Sequence, residues 1–94
     1  MKPRFIGVLP GSLKFEPMSL NGAPIPRGEP IYLTFDEFEA LRLVFYEGLL
    51  QEEAARRMGI SRGTLWRCLE SARRKLASML VEGRTLIVAP EPER

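Results

Sequence analysis

Between residues 34 and 81 the apolar positions recur at three- and four-residue steps, the pattern of helices that each bury one face. The first thirty residues read differently. Pro10-Gly11, Gly22-Ala23-Pro24, Pro26 and Gly28 interrupt them and predict turns joined by short extended pieces. Arg4–Leu9, Leu13–Phe15 and Ile31–Leu33 are the candidate strands there. Near the other end Arg84–Val88 is β-prone, bounded by Gly83 and Pro90, and is expected to pair with one of them. Glu91–Arg94 is expected to be a disordered tail.

Thr34-Phe35-Asp36-Glu37 has the form of a capping box, which sets the start of a first helix. Phe35, Phe38, Leu41 and Phe45 would form its buried stripe, and Gly48 its stop. A second helix is predicted from about Leu50 to Met58, closed by Gly59. Ser61 then caps a third, reaching about Val81, whose buried stripe is Leu65, Leu69, Ala72, Leu76 and Met79. The fold class predicted is mainly α, a three-helix helix-turn-helix domain with short N- and C-terminal strands. Residues 1–33 form an irregular segment with short strands, 34–83 the helix-turn-helix domain, and 84–94 a C-terminal strand and tail.

The informative unit runs from Gln51 to Glu70. Two helices that cross steeply at close range need a small residue on the first, here Ala55, and a turn residue tolerant of positive φ, here Gly59. Ala54, Met58, Ile60, Leu65 and Cys68 are placed to fix the crossing angle. With Leu65, Leu69 and Ala72 turned inward, Gly63, Arg67, Glu70 and Arg74 point outward, with Thr64 and Ser71 beside them. Such a face suits a major groove, in which the N-terminal part of the helix reaches base edges. Gly63, Thr64 and Arg67 are therefore the base-reading candidates, Arg67 as a bidentate partner of guanine and Thr64 against a thymine methyl. Arg62, Arg73 and Arg74 suit phosphate, which positions without reading sequence.

Charge supports that choice. The net charge is only +2, yet residues 54–75 carry Arg56, Arg57, Arg62, Arg67, Arg73, Arg74 and Lys75 against the single acid Glu70. A competing assignment is that Glu52–Arg56, Glu53–Arg57 and Glu70–Arg74 are i,i+4 pairs that merely support exposed helices. Trp66 lies at the edge of the buried face as packing, a dimer contact or a backbone contact. Lys2 and Arg4 are either a minor-groove arm or a solvated terminus.

Composition narrows the chemistry. With no histidine and one cysteine, the chain lacks the commonest general base, the usual nitrogen ligand of zinc and any internal disulfide. Ninety-four residues make one compact domain with little room for a deep substrate pocket. No enzymatic activity, cofactor or metal is expected, and Cys68 is expected to be a small buried hydrophobe. The apolar stretch before Pro10-Gly11 is too short for a signal peptide and no run approaches a membrane span, so a cytoplasmic location is expected.

Four segments carry a resemblance. Leu33-Thr34-Phe35-Asp36-Glu37-Phe38-Glu39-Ala40-Leu41-Arg42-Leu43, Gln51-Glu52-Glu53-Ala54-Ala55, Met58-Gly59-Ile60-Ser61-Arg62, and Glu70-Ser71-Ala72-Arg73-Arg74-Lys75-Leu76 through Val81-Glu82-Gly83 resemble a family of prokaryotic predicted DNA-binding proteins, domain of unknown function 134. The unit also resembles the promoter-reading helix-turn-helix of sigma factors. The resemblance implies a DNA-binding fold with Arg62 to Arg67 at the groove. Some members carry an added domain resembling an iron–molybdenum-cofactor-binding protein, which this chain is expected to lack. Two departures stand out: Leu50 replaces a usual serine, so the second helix loses its cap at a cost of about 1 kcal/mol, and the leader is less basic.

The function expected is that of a transcriptional regulator reading double-stranded DNA with a recognition helix over about 62–81. The alternative is an adaptor that docks on RNA polymerase or another regulator. A homodimer, inferred from the length of the third helix and the β-prone ends, would read an inverted repeat with half-sites about 34 Å apart.

Overall fold

The computed structural model describes residues 12–89, so the expected strand Arg4–Leu9, the basic pair Lys2 and Arg4, and the tail Glu91–Arg94 lie outside the described residues. Three short strands and three helices follow in the order β1 (Leu13–Phe15), β2 (Ile31–Thr34), α1 (Phe35–Leu41), α2 (Gln51–Met58), α3 (Arg62–Glu82) and β3 (Leu86–Ala89). A five-residue π-helical turn, Arg42–Tyr46, extends α1. The domain is a mixed α/β one. Its strands close into one sheet rather than standing as separate ends.

β3 is the centre of that sheet, antiparallel to β1 and parallel to β2, in the order β1-β3-β2. Sequence pattern pointed to one partner for β3; the structure gives it both. Leu13 pairs with Val88 and Ile31 with Leu86. Alternate residues of β2 and β3, namely Ile31, Leu33, Leu86 and Val88, turn inward onto Ala72 of α3. Phe35, Phe38, Leu41, Leu76 and Met79 pack around this cluster.

A second cluster sits at the other end of α3, where Ala40, Leu43, Ala54, Ala55, Leu65 and Leu69 are buried together. Met58, Ile60 and Cys68 pack on it, the contacts expected from their spacing. Burying a leucine of this kind stabilises by about 1.5–3 kcal/mol, so Leu65 and Leu69 fix α3 against α2. Leu41 touches both clusters and joins them.

The helix ends follow their caps. The Thr34 hydroxyl accepts from the Glu37 amide at 3.2 Å while the Glu37 carboxylate accepts from the Thr34 amide at 2.9 Å, completing the capping box. Leu50 caps α2 through an extended backbone without a side-chain bond. Gly59, at φ +72°, turns the chain out of α2, and the Ser61 hydroxyl accepts from the Thr64 amide at 3.1 Å to open α3.

Phe45 departs from expectation. Glu47 N–H donates to the Arg42 carbonyl five residues back at 2.8 Å, and this wider turn breaks the repeat that would have set Phe45 behind Phe38. Leu43 fills the core instead, and Phe45 is 60% exposed.

Candidate nucleic-acid interface

The candidate surface is the side of α3 that faces away from both apolar clusters. Each helical residue advances about 100°, so Gly63, Arg67 and Arg74 fall on one line roughly opposite Leu65, Leu69 and Ala72. All three are exposed, as are Arg62 and Arg73, while Thr64 is half-buried. The structure thus brings Arg62, Gly63, Thr64 and Arg67 together in the first two turns, directly after the Gly59-Ile60-Ser61 turn.

Local bonds order that end. The Ser61 hydroxyl donates to the Thr64 hydroxyl at 3.0 Å, and an Arg67 guanidinium nitrogen stands 3.5 Å from the same Thr64 oxygen. Arg67 is therefore loosely steered toward the helix start. Gly63 has no steric reason to be glycine within the chain: a Cβ there would meet only the Ser61 hydroxyl, at 3.9 Å.

Two of the expected site residues are engaged elsewhere. Ser71 is half-buried and its hydroxyl donates to Glu37 of α1 at 2.5 Å, so it belongs to the α1–α3 contact and not to the outward line. Arg73 pairs with Glu70 at 3.2 Å, on the flank of α3. The i,i+4 partner expected for Glu70 was Arg74, which the i,i+3 pair displaces. Glu52–Arg56 and Glu53–Arg57 are not formed either, so Arg56, Arg57, Arg62, Arg67 and Arg74 have no ion pair with any described residue. An unpaired guanidinium on an exposed face raises the local potential without a compensating acid. Trp66 is 54% exposed beside Arg67, more open than packing at the edge of the core would leave it.

Sequence pattern missed the network behind this face. Glu37 is buried and accepts from Lys75 Nζ at 2.8 Å as well as from Ser71 and the Thr34 amide. Burial alone would raise its pKa, but the bonds from Lys75, Ser71 and Thr34 outweigh that and hold the carboxyl below its ordinary range. Lys75 also donates to the Tyr32 carbonyl of β2 at 2.7 Å, which ties the sheet to α3. The capping box named Glu37, yet partners 34 and 38 residues away leave no local trace.

Cys68 is half-buried, and burial, followed by the nearby charges of Asp36 and Glu37, pushes its thiol pKa up against a smaller opposing effect of Arg67. A protonated thiol of that kind is a poor nucleophile. Among the described residues no group of three His, Cys, Asp or Glu side chains could hold a metal ion, and no helix is long and apolar enough to cross a membrane.

Comparison with known proteins adds kinship. The model of a family described as "Protein of unknown function DUF134" matches residues 1–91. The chain is 60% identical over 88 residues to a UPF0251 protein of Pyrococcus abyssi, covering 94% of this chain and 78% of that protein. A UPF0251 protein of Pyrococcus furiosus is 57% identical over 91 residues, 96% of this chain and 82% of its own length. One from Syntrophobacter fumaroxidans is 49% identical over 74 residues, 79% of this chain but 46% of that protein. No solved structure matches the chain.

Proposed function

The chain belongs to the protein family of unknown function DUF134, and we propose that it is a sequence-specific double-stranded DNA-binding protein, a transcriptional regulator in which α2, the Gly59 turn and α3 act as a helix-turn-helix. The observation that carries this reading is the exposed line Gly63–Arg67–Arg74, flanked by Arg62 and backed by Arg56 and Arg57, whose guanidinium groups have no ion pair with any described residue. Arg67 reads a base edge, Thr64 touches the neighbouring one, and Arg62 and Arg74 hold phosphate. Gly63 supports the same reading. A helical glycine costs about 1 kcal/mol relative to alanine, and its Cβ would fit within the chain, so its use is explained by close approach of a nucleic-acid backbone. An adaptor face for RNA polymerase accounts less well for this surface, because a local excess of one sign of charge favours a polyanion and an adaptor does not need it.

The test is selection of bound sites from a random duplex library, followed by titration read from Trp66 fluorescence. Arg67→Ala is expected to cost about 1–3 kcal/mol on the selected site and to relax one base pair of specificity. Gly63→Ala is expected to stabilise the free protein while weakening the complex. Equal loss on random and selected duplexes in Arg67→Ala would reject base reading by this residue.

A further inference from the structure

Further along the outward side of α3 the fold leaves an open recess of about 400 Å³, walled by Pro30, Tyr32, Arg74, Lys75, Ser78 and Arg84. Ser78 is eleven residues beyond Arg67, three turns on and about 20° away round the helix, so the recess continues the arginine line about 16 Å past its base-reading end. One wall is α3. The other is the start of β2, with Arg84 brought alongside by the Gly83 turn that ends α3.

Its three cations are not equivalent. Lys75 is held by Glu37 at 2.8 Å and by the Tyr32 carbonyl at 2.7 Å, and Arg84 by Glu82 at 3.0 Å and by the Glu29 carbonyl at 2.7 Å. Arg74 has no ion pair with any described residue, so its charge is the one left uncompensated. Ser78 is half-buried, and its hydroxyl has no hydrogen-bond partner among the described residues. Pro30 across the recess has no amide hydrogen, and the Ile31 amide already donates to the Thr85 carbonyl at 2.8 Å. The donors left open are thus a guanidinium and a hydroxyl one turn apart on α3. Together they suit a tetrahedral oxyanion, and one uncompensated positive charge matches the single negative charge of a phosphodiester.

We infer that this recess seats one phosphate group, held by Arg74 and by the Ser78 hydroxyl. Its source rests on the proposed function: the group belongs to the DNA strand that bounds the groove read by Arg67. The major groove is about 12 Å wide, and Arg74 and Ser78 stand about 10–16 Å along α3 from Arg67, where a helix leaving the groove meets that strand. An arginine on a convex face follows a phosphate over a range of positions. A recess closed on its far side by β2 and Arg84 admits it at one, so Ser78 fixes how far α3 enters the groove.

The test is a scan of the selected duplex in which single phosphates are replaced by uncharged methylphosphonates, titrated with the wild type and with Ser78→Ala. Alanine is the stronger helix former, so the variant keeps the fold. Ser78→Ala is expected to weaken selected and random duplexes alike, by about three- to tenfold, and to leave the salt slope unchanged because a hydroxyl displaces no counterion. One methylphosphonate position is expected to weaken the wild type and to lose most of that effect in both Ser78→Ala and Arg74→Ala. Wild-type affinity in Ser78→Ala, or equal sensitivity to every methylphosphonate in Ser78→Ala and wild type, overturns the inference and leaves the DNA reading standing. A wild type that binds no duplex rejects the DNA reading, and the recess is then judged on inorganic phosphate added to the free chain at constant ionic strength. A saturable shift of the Ser78 amide resonance that Arg74→Ala abolishes supports the site with a free phosphate as its occupant, and no shift overturns it.

Discussion

Glu37 collects three donors from two elements: the Thr34 amide at the end of β2, and Ser71 and Lys75 from α3. One carboxylate thus fixes where α1 starts and how α3 lies across it. Burial would raise its pKa and the three donors lower it more, so the folded carboxyl titrates below the ordinary value of 4.5. A folded pKa below the unfolded one contributes stability that is fully present above 4.5 and is lost as the pH falls through the lowered folded value. Denaturant melts from neutral to acid pH are expected to show this loss in the wild type. Glu37→Gln is expected to cost about 1–2 kcal/mol at neutral pH, where Lys75 loses its charged partner, and to flatten the acid limb. An unchanged acid limb in Glu37→Gln would assign the pH dependence to another carboxylate.

At the scale of elements, much was legible because the signals are local. The Thr34 and Ser61 caps and the Gly59 stop place helix boundaries within a residue or so, since each acts on amides or carbonyls a few positions away. What sequence pattern missed depends on longer reach or on a change of helical pitch. Nothing in Arg42-Leu43-Val44-Phe45-Tyr46 announces a π turn, so the seven-residue spacing of Phe38 and Phe45 promised a stripe that the pitch breaks. Likewise the outward line of α3 was readable from spacing, but the choice of Arg73 over Arg74 by Glu70 rests on rotamers that spacing does not specify. Gly59 gives the turn a test of its own. Its φ is +72° and a Cβ there would meet open space, so any cost of substitution is a backbone cost and not a clash. Gly59→Asn is expected to be mildest, Gly59→Ala to cost about 1 kcal/mol, and Gly59→Val about 1–3 kcal/mol, as branching at Cβ worsens the left-handed conformation. Thermal denaturation that fails to separate valine from glycine would show that the turn adopts another conformation in solution.

For the whole molecule the proposed function requires that a chain of net charge +2 be held by a polyanion. The sheet end and the helix end differ in what their charges do. Arg84 donates to the Glu29 carbonyl and pairs with Glu82, and Lys75 is committed to Glu37, so these cations stabilise the fold and neutralise little else. By contrast, Arg56, Arg57 and Arg62 near the Gly59 turn, and Arg74 further along α3, have no ion pair with any described residue, and the proposed function gives Arg67 to a base. If those four arginines each displace one counterion, log K should fall against log salt with a slope of about −3.6, at about 0.9 per phosphate on B-form DNA. The slope also separates engaged from free charge. Arg74→Ala is expected to reduce it by about 0.9, whereas Arg73→Ala, which removes a cation already balanced by Glu70 at 3.2 Å, is expected to change it much less. Fluorescence titrations on one duplex over a range of salt concentrations give both values. A slope near zero, or one that Arg73→Ala and Arg74→Ala lower equally, would mean that the ion pairs seen in the free protein do not persist on the nucleic acid or that the arginine line does not meet phosphate at all.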